Sequence, residues 1–187
     1  FRQHKLYIGL EKCHLMKDSI PFLGHVVSVD GIKMDPTKIA AIQCFQPLTS
    51  VSEVRSFLGL VNYYRRFIPH LSDHARPLHA LLRKDAVFSW TPECQFAFDY
   101  LKDAVTSDPV LRGPRFGEPF IVHADASGDA VSGVLMQNFS DGLHPIAFFS
   151  RTLSPAEQNY PIHELESLAI FACFQEWRVY LLGVPVD

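Results

Sequence analysis

The chain has 187 residues, a formal charge of −3, 48% hydrophobic residues and 20% charged ones. This composition excludes a disordered polymer, and the length suits one large domain or two small ones. The mildly acidic total excludes a surface that is basic throughout, so nucleic acid could be held only at a local patch.

The four cysteines (Cys13, Cys44, Cys94, Cys173) lie far apart and lack ligand-type spacing. A disulfide framework is not expected, and a reducing, intracellular setting fits better. His70 and His74 could share a helix face, but no second ligand pair accompanies them, so no structural zinc is expected. No apolar run reaches the ~20 residues of a membrane span, and no signal peptide is evident. The chain opens at Phe1 without a methionine and reads as an excerpt from something longer.

In chain order, Phe22-Leu23-Gly24-His25-Val26-Val27-Ser28 predicts a strand, Asp30-Gly31 a tight hairpin turn, and Ile32 the start of the return. Asp35-Pro36 opens a short helix through Ile42, and Pro47 ends that segment. Ser50 with Glu53 forms a capping box for a helix over 51–68, whose apolar stripe is Val54, Phe57, Leu58 and Val61. Pro69 closes it. A short helix is expected over 75–82, followed by a solvated turn at Arg83-Lys84-Asp85. Thr91-Pro92 starts another helix, with Phe98, Leu101 and Val105 as its buried stripe. Pro109, Gly113, Pro114 and Gly117 mark a linker, taken as the domain boundary. Beyond it, Phe120 to Ala124 reads as a buried strand ending at Asp125. Val131 to Gln137 is its antiparallel partner, and Ile146 to Ser150 a third strand. Ser154 and Glu157 repeat the capping-box pattern. A long helix follows over 162–182, stopped by Gly183 and Pro185.

Two constellations could carry chemistry. On the helix over 51–68, Arg55, Gly59, Asn62 and Arg66 share one face opposite the apolar stripe, flanked by Tyr63. Glycine inside a helix costs about 1 kcal/mol relative to alanine, so Gly59 requires a reason. Close packing of a neighbouring helix is one reason, and approach of a nucleic-acid minor groove is another. The second constellation is Asp125, at a strand end, with Glu166 in the first turns of the long helix. Carboxylates so placed could converge on a divalent metal for phosphodiester cleavage. They could equally serve a turn and the helix dipole, and Glu164 is an equal candidate on position alone. Trp90, Trp177 and most of the phenylalanines read as core. Lys12, Lys17 and Lys33 are scattered rather than clustered.

Phe22-Leu23-Gly24-His25-Val26-Val27-Ser28 with Asp30-Gly31-Ile32 resembles the end of the palm in gypsy-type LTR-retrotransposon reverse transcriptases. In retroviral relatives that hairpin is the primer grip. Val54-Arg55-Ser56-Phe57-Leu58-Gly59-Leu60, continuing to Pro69, is similar to the family's thumb segment, and Phe88 to Cys94 to the tether into RNase H. Asp125-Ala126-Ser127 resembles the first RNase H strand, and His163-Glu164-Leu165-Glu166-Ser167-Leu168-Ala169-Ile170 the helix bearing the catalytic glutamate. The register of that match selects Glu166.

The resemblance implies an α+β fold: a palm-end β-hairpin with a helical thumb, then a partial RNase H-like mixed sheet with a long helix. It divides the chain into 1–34 (palm end), 35–86 (thumb), 87–118 (connection or tether) and 119–187 (RNase H-like). Phe22, Leu23, Gly24, His25, Arg55, Gly59, Asn62, Tyr63 and Arg66 become a surface for a template–primer duplex or an RNA–DNA hybrid, read by shape. Asp125 and Glu166 become Mg²⁺ ligands of a two-metal site that cuts the RNA strand. The expected partner besides nucleic acid is the rest of the Pol polyprotein. The expected location is the cytoplasm, within a virus-like particle, and the nucleus. The polymerase's aspartate pair is expected upstream of Phe1, since no Asp-Asp occurs here, and the remaining RNase H carboxylates beyond Asp187. The isolated chain is therefore expected to be inactive. Arg115, Ala124 and Ser132-Gly133 depart from the family pattern at positions the fold tolerates. The alternative is a non-catalytic, host-retained module that binds nucleic acid or protein.

Overall fold

In the computed structural model, which describes residues 2–5, 7, 9, 13–84, 86–107 and 110–187, the first sheet is an antiparallel meander. Phe1, Lys12, Asp85 and Pro109 of the sequence reading lie outside the described residues. The meander's strands are β1 (Ser19–Phe22), β2 (His25–Ser28) and β3 (Gly31–Met34). The single strand expected over 22–28 is two strands and a turn. Leu23 (φ 46°) and Gly24 (φ 68°) both take left-handed backbone, the two-residue geometry that matches strand twist in a tight hairpin. Leucine rarely adopts that conformation, so an apolar run containing it reads as continuous strand.

Helix α1 (Pro36–Gln43) is capped by Asp35, whose Oδ1 accepts from the Thr37 backbone N–H at 2.9 Å. Helix α2 (Val51–Tyr63) is capped by Ser50, whose Oγ accepts from the Glu53 N–H at 3.3 Å. Glu53 reaches back, but to the N–H of Thr49 (2.7 Å), one residue before the cap. Val54, Phe57, Leu58 and Val61 are buried as their spacing predicts. The helix stops at Tyr63 instead of running to Ile68, and the chain tightens into a 3₁₀ turn at Arg65–Phe67. Pro69 is the cause: it donates no hydrogen bond and forces Ile68 into extended backbone (φ −112°, ψ 112°). Helix α3 (Leu71–Ala80) starts four residues before the expected 75, entered through His70 in left-handed conformation (φ 48°). Helix α4 (Pro92–Thr106) begins where Thr91-Pro92 predicts. These helices close over β3 around Met34, Ile42, Phe57, Leu78, Phe98 and Leu101, with the Phe57 and Phe98 rings 4.8 Å apart.

The second sheet is β4 (Ile121–Ala126), β5 (Ala130–Phe139) and β6 (Gly142–Thr152), again antiparallel. All its strands are antiparallel rather than mixed as expected; the only parallel pairing among the described residues is an isolated bridge between Phe120 and Val186 beside the start of β4. Helix α5 (Ile162–Glu176) lays Leu165, Ala169, Ala172 and Cys173 onto one sheet face. The helix expected through Leu182 breaks at buried Trp177 and resumes as α6 (Arg178–Leu181). Gly133 on β5 has no side chain because α5 lies against it: an added Cβ would strike the Cys173 sulfur and stand 2.9 Å from the His123 carbonyl oxygen.

The expected linker is bonded at both ends. Leu111 is buried and exchanges two backbone hydrogen bonds with Ile32 of β3 (2.7 and 3.0 Å). Buried Gln137 of β5 accepts from the Arg115 N–H and donates to the Arg115 carbonyl, both at 2.8 Å. Helix α3 also docks on the second sheet, on the face away from α5. The Ser72 N–H donates to Ser150 Oγ (2.9 Å), Ser127 Oγ donates to Asp73 (2.9 Å), and Arg76 pairs with Asp129.

Candidate nucleic-acid interface

The β1–β2 turn is held by the end of α2. Tyr63 donates its hydroxyl proton to the Leu23 carbonyl at 2.5 Å, and Tyr64 donates to the Gly24 carbonyl at 2.8 Å. His25 stacks on Tyr63 (ring centroids 5.6 Å apart) and on Phe67 (5.7 Å), and meets Tyr64 edge-on. Burial pushes the Tyr64 phenol's pKa above its ordinary value, so it stays a donor at neutral pH. Gly24 is fixed twice over: its φ is left-handed, and a Cβ there would stand 2.8 Å from the Tyr63 hydroxyl. The grip leaves Phe22 (57% exposed) and Leu23 (73%) presented to solvent at the turn.

Phe22, Leu23, His25, Tyr63 and Arg66 line one cavity of about 310 Å³, closed from behind by Leu111 and Ile146. The structure thus brings together five of the nine residues read as a duplex-binding surface. Gly24 belongs to the same turn. Arg55, Gly59 and Asn62 lie along the exposed face of α2, leading away from the cavity. A methyl group built on Gly59 would have no heavy atom within 4 Å among the described residues. Of the two reasons for a helical glycine at 59, packing against a neighbouring helix of this chain is thereby removed.

Arg66 departs from the face drawn in the sequence. Because α2 ends at Tyr63, its guanidinium turns to the second module and donates to the Tyr180 hydroxyl at 3.0 Å. Arg65 beside it pairs with Glu176 at 3.2 Å. The sequence reading did not single out Tyr64, which holds the turn from within the core. Its signal was present in the doublet Tyr63-Tyr64, but only the fold shows that both hydroxyls reach one turn some forty residues upstream.

Asp125 sits near the end of β4 and is exposed. Its strand partner is Ser132, and residues directly opposite share a sheet face. Ser132 shares a hydrogen bond with His70 Nδ1 (3.0 Å) on the α3 side. Asp125 therefore faces a cavity of about 130 Å³ lined by His70, His123 and Ser132. Glu166 is exposed on α5, next to Leu165, which packs near Ala124 and Ala126 on either side of Asp125. The two carboxylates stand on elements in contact, β4 and α5. Among the described residues no three His, Cys, Asp or Glu side chains gather as metal ligands. Two carboxylates alone are fewer than a closed protein site for Mg²⁺ supplies, and no catalytic step is derived through a metal. Cys173 is no nucleophile: burial, with Glu176 nearby, pushes its thiol up to about 11.

Residues 90–187, more than half the chain, match the RNase H-like domain found in reverse transcriptase. The chain belongs to that family. Over 180 residues it is 42% identical to the retrovirus-related Pol polyprotein from transposon 297 of Drosophila melanogaster, covering 95% of this chain and 16% of the relative. It is 35% identical over 177 residues to the Tf2-3 polyprotein of Schizosaccharomyces pombe, covering 94% of this chain and 13% of the relative. The chain is thus a Pol sequence of the LTR-retrotransposon kind, and the gypsy-type assignment fits. It spans less than a fifth of these relatives' length. In fold it is similar to the foamy viral protease–reverse transcriptase solved with double-stranded DNA (TM-score 0.80, 23% identity, covering 95% of this chain and 31% of that one). It is similarly close to the same enzyme solved with an RNA/DNA hybrid (TM-score 0.78, 24% identity, covering 95% and 24%). The α+β, reverse transcriptase/RNase H-like class read from the sequence holds. No helix among the described residues is long and apolar enough to cross a membrane.

Proposed function

We propose that this chain grips a template–primer duplex or an RNA–DNA hybrid between the exposed face of α2 and the β1–β2 turn. The observation that carries the reading is the open face over Gly59. Arg55 and Asn62 flank a helix position with no side chain, where an added Cβ would meet nothing within 4 Å among the described residues, on a helix whose end fastens the hairpin tip through Tyr63. Such a surface admits a backbone or groove edge closely and supplies charge to phosphates without reading bases. That the foamy viral enzymes of like fold were solved with double-stranded DNA and with an RNA/DNA hybrid supports the ligand class.

In the longer polyprotein the chain serves RNA-directed DNA synthesis and Mg²⁺-dependent hydrolysis of the RNA strand. Asp125 and Glu166 are two of the carboxylates of that hydrolytic site, completed by groups outside this chain. The chain divides as palm end (1–34), thumb (35–86), tether (87–118) and RNase H-like part (119–187). It acts in the cytoplasm, within a particle built from the element's own proteins, and in the nucleus.

Titration of the chain with a labelled RNA–DNA hybrid at several salt concentrations tests the grip. Affinity should fall steeply with salt, and Arg55→Ala should weaken binding and flatten the slope by about one unit. Absent or salt-insensitive binding would overturn the reading.

A further inference from the structure

Nothing so far gives Tyr64 a part in function, since it is buried and cannot touch a duplex. Its hydroxyl nevertheless sits at a junction. It donates to the Gly24 carbonyl at 2.8 Å, so the β1–β2 turn and the end of α2 meet on one oxygen atom. Tyr63 adds the neighbouring bond to the Leu23 carbonyl, and the ring of His25 fills the space between the two tyrosines and Phe67.

The turn needs such a fastening. Its two central residues are both left-handed, and one of them is a leucine, whose Cβ disfavours that conformation. The three-stranded sheet is short, with four residues in each strand, and β1 is an edge strand with most of its residues exposed. A two-stranded tip of that size has little stability of its own. The apolar side chains it presents, Phe22 and Leu23, are useful to a ligand only if the tip holds still.

We infer that Tyr64 is a positioning residue that, with Tyr63, fastens the Leu23–Gly24 turn to the thumb helix, so that hairpin tip and α2 meet a nucleic-acid duplex as one rigid body. The inference rests on the duplex-binding reading above and assigns to the tyrosine pair the job of setting the distance between its two contact surfaces. Losing a hydroxyl should loosen the tip without unfolding the module, because the Tyr64 ring stays packed in the core.

The test uses the full chain and its Tyr64→Phe and Tyr63→Phe variants, with amide hydrogen exchange and hybrid binding as paired readouts. Exchange over 22–28 should accelerate about three- to tenfold in either variant, the range that one hydrogen bond supports, while α4 and α5 keep their protection. Hybrid affinity should fall by a similar factor. Combining Tyr64→Phe with Phe22→Ala should cost less than the sum of the two, since both act through the tip. Unchanged exchange over 22–28 overturns the fastening. Faster exchange with unchanged affinity, or additive losses in the double variant, overturns the positioning role. If the unsubstituted chain binds no hybrid, the duplex-binding reading itself falls, and the exchange data still decide whether the tyrosines fasten the turn.

Discussion

Replacing Gly59 by alanine separates the stability of α2 from its proposed use. Position 59 lies within a thirteen-residue helix, exposed, and an added methyl would meet no heavy atom of another element within 4 Å among the described residues. Alanine there meets no obstacle and removes the backbone freedom that glycine surrenders on folding, a gain of about 0.5–1 kcal/mol. For a chain of this size that corresponds to a rise in melting temperature of roughly 1–4 °C. If the glycine exists so that a nucleic-acid backbone can come close, the same methyl should weaken hybrid binding while the protein becomes more stable. Thermal or urea unfolding gives the first quantity, and a hybrid titration at fixed salt gives the second. A loss of stability would mean that something packs on Gly59 after all. A gain in stability with undiminished affinity would mean that no ligand approaches there, and the proposed interface would have to move.

Three further outcomes follow from particular contacts. Gly133→Ala should destabilise the RNase H-like part by about 1–3 kcal/mol, because the new methyl collides with the Cys173 sulfur and crowds the His123 carbonyl, which urea unfolding would register. Glu157 is held at about 2, first by its hydrogen bonds from Arg151 and then by those from Ser154, so its carboxylate stabilises the fold at any pH above its unfolded value. That contribution should fade as pH falls from the ordinary carboxylate range through about 2, and Glu157→Gln should remove this part of the acid response in a pH series of melting curves. Asp125→Asn should leave hybrid affinity of this chain within about twofold while abolishing RNA-strand cleavage by a Pol protein that contains the complete site, as measured with a labelled hybrid; retained cleavage would remove Asp125 from the site.

How much was legible in the sequence varies with the range of the interaction that decides each feature. Caps and stripes are local, so Asp35, Ser50 and Thr91 started helices where their side chains predict, and Val54, Phe57 and Val61 were buried as spaced. The misreadings lie where a distant partner overrules a local tendency. The strand over 22–28 is broken because Tyr63 and Tyr64, far along the chain, hold a leucine in left-handed backbone. Composition marks the stretch with Gly113, Pro114 and Gly117 as a linker but cannot show that Leu111 bonds to Ile32 and Arg115 to Gln137.

The carboxylate pair shows the same limit from the other side. Strand patterning could place Asp125 near a strand end. It could not say which sheet face the aspartate leaves from. That is decided by Gly133, which lets α5 press against one face, and by α3, whose His70, Ser72, Asp73 and Arg76 bond to the other. Asp125 is thereby set on the α3 side, with Ser132 and His70, by contacts whose members lie far apart in sequence. Spacing along β4 alone carries no record of them, which is why the face of a strand-end carboxylate is read only from the assembled sheet.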